Sequence, residues 1–169
     1  HHELSIVRAT PVDTIDLGGG LPAVYRDTDP HLTPAAYAAA LRAAVPDLFF
    51  PELELVTEFG RSIHAGCGFV VARVEAIKPG PIAVLHVGAD LFVRRVYRPH
   101  EWHHEFVALD PDGRIKSGPA APVTLSGPLC FGGDILARDL PLPALAPGDH
   151  VLIRDAGAYT LSMWSRYCS

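Results

Sequence analysis

The alternation of apolar and polar positions changes character about a third of the way along the chain. Residues 12–17 form a short apolar run that reaches a carboxylate and passes straight into Gly18-Gly19-Gly20, which predicts a strand broken by a glycine loop. Thr33-Pro34 then supplies an N-cap followed by proline at the first helical position. The alanine-rich AAYAAALRAAV after it predicts a helix to Val45, stopped by Pro46. A second apolar run at residues 53–57 predicts another strand. Strand, glycine loop, helix and strand in this order make a βαβ unit with a parallel pair.

Beyond Arg61 the punctuation becomes regular. Prolines and glycines recur roughly every eight to twelve residues and separate short β-branched runs: GFVVARVEAI, PIAVLHV, EFVALD, APVTLSG and HVLIRDAG. Even spacing of short strands predicts an all-β barrel or sandwich, with turns at DPDGR (110–114) and LAPGDHV (145–151). No helix-length periodic segment occurs in this half, and the chain holds no internal repeat. The expectation is therefore α/β followed by all-β, divided into residues 1–65 and 66–169. A single βαβ unit cannot cover its own sheet, so the pattern implies further layers upstream.

Composition narrows the possible partners. The 169 residues are 49% hydrophobic and 20% charged, with a formal net charge of -5, and no Lys/Arg run exceeds two. That excludes the basic footprint of a nucleic-acid binder. No apolar stretch reaches the roughly 18 residues of a membrane span, and no signal-peptide pattern opens the chain, so a soluble, cytoplasmic protein is expected. Cys67, Cys130 and Cys168 show no C-x-x-C spacing, which argues against a disulfide framework or a cysteine zinc site and fits a reducing compartment. His1-His2 reads equally as a tag remnant or as native sequence.

Five stretches carry candidate chemistry. HEWHH matches H-E-x-x-H through His100, Glu101 and His104, the pattern of a zinc hydrolase when it lies on a helix. Here HHEFVALD runs on with period-two apolar residues, and the competing reading, polar residues entering a strand, is favoured; no metal site is expected. Gly18, Gly19 and Gly20 at the end of a parallel strand leave bare backbone N–H groups open to a phosphate, or else simply turn the chain. TEFGRS repeats the device one strand later, with Glu58, Gly60 and Arg61. GPLCFGGD holds Cys130 on a tight loop, which suits a substrate-facing thiol better than a core one. In RDAGAYTLSMWSRY, Tyr159 follows Gly157-Ala158 closely enough for its phenol to reach a ligand oxygen.

In this order, DLGGG, EFGR, GPLCFGGD and DAGAY resemble the C-terminal part of the fold-type III pyridoxal-phosphate decarboxylases, the diaminopimelate, ornithine and arginine decarboxylase family. The family pattern is D-[LI]-G-G-G, E-P-G-R, G-P-x-C-x-x-x-D and D-A-G-A-Y. The resemblance implies the last βα units of a TIM-type (β/α)8 barrel followed by a C-terminal β-barrel or sandwich. It implies pyridoxal 5'-phosphate as cofactor, an amino-acid substrate, and a homodimer with shared active sites. Gly18, Gly19, Gly20, Gly60, Arg61 and Tyr159 would then hold the phosphate, and Glu58 would face the pyridine nitrogen, where a carboxylate favours the protonated ring. Cys130 and Asp134 would reach into the partner's site, Cys130 delivering a proton.

Three departures qualify the match. Phe59 replaces the proline of E-P-G-R. Phe131 stands where relatives that bind a distal ammonium place an acid, so the resemblance implies a substrate without that charge, neither meso-diaminopimelate nor ornithine. The Schiff-base lysine has no counterpart: Lys78 and Lys116 both read as loop lysines. The chain alone is therefore not expected to be a competent enzyme, and an N-terminal barrel portion must carry that lysine. The remaining alternatives are another reaction on the same scaffold, a non-catalytic or regulatory module of the same fold, and the zinc hydrolase suggested by HEWHH.

Overall fold

A computed structural model describes residues 12–166; His1, His2 and Cys168 lie outside them. The chain divides into two compact units, His1–Ile63 and His64–Ser169.

In the first unit, strand β1 (Thr14–Asp16) pairs in parallel with β2 (Glu54–Val56), Ile15 opposite Leu55. Helix α1 (Pro34–Ala44) connects them. Thr33 caps it as the sequence predicts: its side chain accepts from Ala36 N–H at 3.1 Å, and Pro34 occupies the first turn, where a missing N–H costs nothing. Helix geometry ends at Ala44, and Pro46 opens a 3-10 turn, Pro46–Phe49. No residue of α1 is buried, and among the described apolar residues of this unit only Leu21 and Leu53 are. The unit has the βαβ order expected, but its described residues form no core of their own. A five-residue helix, α2 (Gly60–His64), follows β2.

The second unit is a six-stranded mixed sheet in the order β5-β8-β3-β4-β6-β7. Its strands are β3 (Val70–Lys78), β4 (Ile82–Leu85), β5 (Phe106–Leu109), β6 (Ala120–Ser126), β7 (Ile135–Pro143) and β8 (His150–Ile153). Only β4 and β6 run parallel. β3 bends at a bulge between Val74 and Ala76, so its first half pairs with β8 and its second with β4. The edge strands β5 and β7 bring Cα atoms within 8 Å of each other, and the sheet nearly closes on itself.

Alternate residues fill the interior. Ala72, Val74, Leu85, Leu125, Val151 and Ile153 have almost no exposed surface. Burying each of the larger ones is worth about 1.5–3 kcal/mol. Phe92 belongs to the same buried cluster. The predicted turns form: Asp110 N–H donates to Arg114 O at 2.8 Å with Gly113 at φ 82°, and Gly148 takes φ 94° before Asp149. Two elements differ from the sequence expectation. β7 was not foreseen because Pro141 and Pro143 interrupt it, and an edge strand tolerates prolines whose missing N–H faces outward. A single helical turn, α3 (Val93–Tyr97), interrupts the strands.

Candidate functional site

The two glycine loops of the first unit lie side by side. Leu17 N–H continues the β1–β2 pairing to Val56 O, and Glu58 N–H then donates to Gly18 O at 2.8 Å. Gly18 and Gly20 take φ 71° and 105°, backbone that a side chain resists. Gly19 needs its bare α-carbon for another reason: a Cβ there would sit 2.9 Å from Glu58 O. Asp16 Oδ1 accepts from Gly18 N–H at 2.7 Å and holds the first turn of the loop. The N–H groups of Gly19 and Gly20 have no acceptor among the described residues. Glu58 is exposed, and Arg61 is half-buried in the first turn of α2. Phe59, in the place of the family's proline, packs edge-on against Tyr37 with ring centroids 5.0 Å apart.

In the second unit, residues 127–134 form a closed loop between β6 and β7. Gly127 N–H donates to Asp134 O at 2.9 Å, Ser126 Oγ to the same oxygen at 3.1 Å, and Asp134 N–H to Phe131 O at 3.0 Å. Cys130 is exposed at its tip. Asp134 faces into its own chain: its side chain is buried and accepts from Ala89 N–H at 2.6 Å and Leu129 N–H at 2.8 Å. Beside the loop lies a cavity of about 230 Å³ lined by Ala89, Val93, Tyr97, Leu129 and Phe131, with Asp90 and Ser165 at its wall. The Asp90 carboxylate accepts from Gly88 N–H at 3.1 Å.

The DAGAY turn is threaded tightly. Ala156 N–H donates to Gly68 O at 2.8 Å and Gly157 N–H to Ala65 O at 3.0 Å; a Cβ on Gly157 would meet His64 O at 1.9 Å. Tyr159 takes φ 57°, a conformation unusual outside glycine, and is 39% exposed. Its ring meets the edge of buried Trp102 at 5.4 Å, and the Arg94 guanidinium lies 5.0 Å from the Tyr159 ring and 5.3 Å from Trp102. The sequence reading missed Arg94 and Trp102. Trp102 sits inside HEWHH, where metal spacing drew attention away from the one aromatic residue.

HEWHH does not lie on a helix. It occupies a turn after α3 and the lead into β5, so no i,i+4 face presents His100 and His104 together. Arg95 binds the carbonyls of Pro99 and Trp102, His103 Nε2 lies 3.0 Å from His100 O, and His104 Nδ1 lies 2.8 Å from Arg154 O with its ring against Phe92. Burial pushes the His104 pKa down and that of neighbouring Asp155 up. Among the described residues no three metal-ligating side chains cluster, and no helix is long and apolar enough to cross a membrane. Lys78 ends β3, and Lys116, beyond the 110–114 turn, pairs with the buried Asp149 carboxylate.

The nearly closed sheet with its Cys-bearing loop defines a class, the sheet domain that ends pyridoxal-dependent decarboxylases. The model of that family, "Pyridoxal-dependent decarboxylase, C-terminal sheet domain", matches residues 22–157, and the chain belongs to this family. A diaminopimelate decarboxylase of Streptomyces coelicolor is 34% identical, over 94% of this chain and 38% of its own length. The structure of diaminopimelate decarboxylase from Helicobacter pylori complexed with L-lysine superposes with a TM-score of 0.80 at 27% identity, over 98% of this chain and 39% of that one. That of SrLDC in complex with PLP and cadaverine gives 0.76 at 27% identity, over 98% and 42%. The chain thus spans somewhat more than a third of the length of the relatives it matches.

Proposed function

We propose that this chain is the C-terminal part of a pyridoxal-phosphate-dependent amino-acid decarboxylase. In this reading residues 1–65 are the last βα portion of its cofactor-binding barrel and residues 66–169 its β-domain. The observation that carries it is the hydrogen bond from Glu58 N–H to Gly18 O, which lays DLGGG and EFGR side by side at the ends of a parallel strand pair. The residues fit the cofactor. The N–H groups of Gly19 and Gly20 are available to phosphate oxygens, a methyl at Gly19 would be crowded by Glu58 O, and Glu58 is unburied beside them.

Gly18, Gly19, Gly20, Gly60 and Arg61 then grip the phosphate, Tyr159 adds its hydroxyl, and Glu58 holds the ring nitrogen protonated. When bound, the cofactor supplies an electron sink for the carbanion left by loss of CO₂. Cys130 holds a proton for the reacting carbon, in a site shared across a homodimer, and Asp134 belongs to the same loop. The linking lysine comes from an N-terminal barrel portion. Phe131 and the apolar lining at Leu129 and Val93 favour a substrate without a distal ammonium, with Asp90 the carboxylate at the cavity wall. The similarity to diaminopimelate decarboxylases favours a second reading, a substrate with a polar far end.

One panel decides between them. CO₂ release is measured from neutral and from distally amino-substituted amino acids with the complete enzyme. Turnover of neutral side chains supports the first reading; turnover confined to diamino acids supports the second. Glu58→Gln is expected to keep the visible absorbance of bound cofactor while losing about 10²–10³ in kcat, as when a preorganised electrostatic partner is removed. No bound cofactor in the unsubstituted enzyme would sink the proposal.

A further inference from the structure

We infer that Asp134 is a positioning residue that locks the Cys130 loop to the turn leading into α3; its part in the reaction rests on the decarboxylase reading above. Its side chain is 1% exposed, and its two oxygens face two different segments. Oδ1 accepts from Ala89 N–H at 2.6 Å and Oδ2 from Leu129 N–H at 2.8 Å. A buried carboxylate with two backbone donors is strongly held, and removing it leaves the buried Ala89 N–H and the part-buried Leu129 N–H without this acceptor.

The surrounding backbone is shaped to admit this side chain. A Cβ at Gly88 would lie 2.3 Å from Asp134 Oδ1, and a Cβ at Gly127 would lie 2.2 Å from Oδ2. Gly88 is therefore required by the carboxylate itself, Gly127 by the carboxylate and by the Gly88 Cα, 2.4 Å from its Cβ position, and neither has positive φ. Gly133 is bare for a related reason, since its Cβ would strike the Phe131 ring at 2.4 Å. Together these contacts clamp residues 127–134 at both ends and in the middle. Cys130 lies next to Leu129, one residue from the clamped amide. The second anchor, Ala89, lies in the turn where Phe92 N–H donates to Gly88 O, immediately before α3. One carboxylate thus fixes the thiol-bearing loop to the segment that lines the other wall of the cavity.

The test has a structural arm and a kinetic arm, both in the complete enzyme. Asp134→Asn keeps the side-chain size but turns an NH₂ group toward one of the two donors. Hydrogen exchange at the amide that faces this group, Ala89 or Leu129, is expected to rise by about tenfold or more, while the Val151 amide in β8 stays protected. Gly88→Ala approaches from the other segment: its methyl displaces the carboxylate, so the Leu129 amide, 41 positions away, must loosen as well. This second variant keeps the test decisive if Asp134→Asn does not fold. In the kinetic arm, Asp134→Asn lowers kcat with KM and cofactor absorbance retained. In a Cys130→Ser background it is expected to have no further effect, because it acts through Cys130.

Exchange rising uniformly across the sheet, or at neither amide in Asp134→Asn, or not rising at Leu129 in Gly88→Ala, overturns the latch. Losses that multiply in the double variant overturn its action through Cys130. If the enzyme binds no cofactor, the decarboxylase reading fails and the exchange arm alone judges the latch.

Discussion

At the scale of single residues, several glycines stand where another atom leaves no room for a Cβ. Gly19 gives way to Glu58 O, Gly157 to His64 O, and Gly88 and Gly127 to the Asp134 carboxylate. The DLGGG loop was readable as a site of close backbone approach, but Gly88 was not, because its neighbour Asp134 is 46 positions away in sequence. Phe131 carries the specificity argument at this scale. Phe131→Glu would place a carboxylate beside the cavity, and its pairing with a distal ammonium is worth a charge-assisted hydrogen bond. The expected outcome is that kcat/KM for a diamino acid rises about tenfold to a hundredfold relative to a neutral amino acid, read by competition between the two. An unchanged ratio would remove Phe131 from the substrate contact.

Among the elements, the segment of residues 99–104 shows how local spacing misleads. H-E-x-x-H needs a helix, and here α3 ends at Tyr97, so His104 meets a carbonyl and a ring instead. His104 stays neutral because burial is the largest influence on it, followed by the opposing pull of Arg154 O and the repulsion from Arg95. Its native pKa lies below the ordinary 6.5, so the unfolded chain binds more protons as pH falls through that value. Stability then declines with falling pH and levels off below the native value. Asp155 acts in the opposite sense. Burial raises its pKa, so the stability it contributes is present below about 3.8 and is lost as pH rises through its native value. Over about pH 7.5 to 5.5, around the ordinary histidine value, the His104 contribution falls as pH falls. The urea midpoint is expected to drop over that range, and His104→Gln is expected to flatten the profile; an equal slope in the variant would refute the assignment.

For the whole molecule, the described residues of the first unit bury little apolar surface, and the chain spans somewhat more than a third of the length of the decarboxylases it matches. The proposed shared site makes a specific demand. In a homodimer where Glu58 of one subunit serves the same centre as Cys130 of the other, a mixed dimer of Glu58→Gln and Cys130→Ser chains contains one site with neither change. Mixing the two inactive variants is therefore expected to restore about a quarter of native activity, since about half the dimers are mixed and half their sites are intact. No recovery after subunit exchange, verified by mass, would show that the two residues serve the same chain's site.

The amino-acid sequence determined by itself what local physics controls. The Thr33 cap and Pro34 start of α1, the parallel β1 and β2 runs, the β-rich second half and its Gly113 and Gly148 turns each depend on residues within a few positions. It also carried the four ordered motifs that mark the family. Only the tertiary structure decided the nearly closed strand order, the edge strand β7 despite its prolines, the stacking of Arg94 and Trp102 on Tyr159, and the inward turn of Asp134. Each of these joins residues far apart along the chain, where burial and hydrogen bonding are set by whatever surface folds against them, a quantity that no nearby residue encodes.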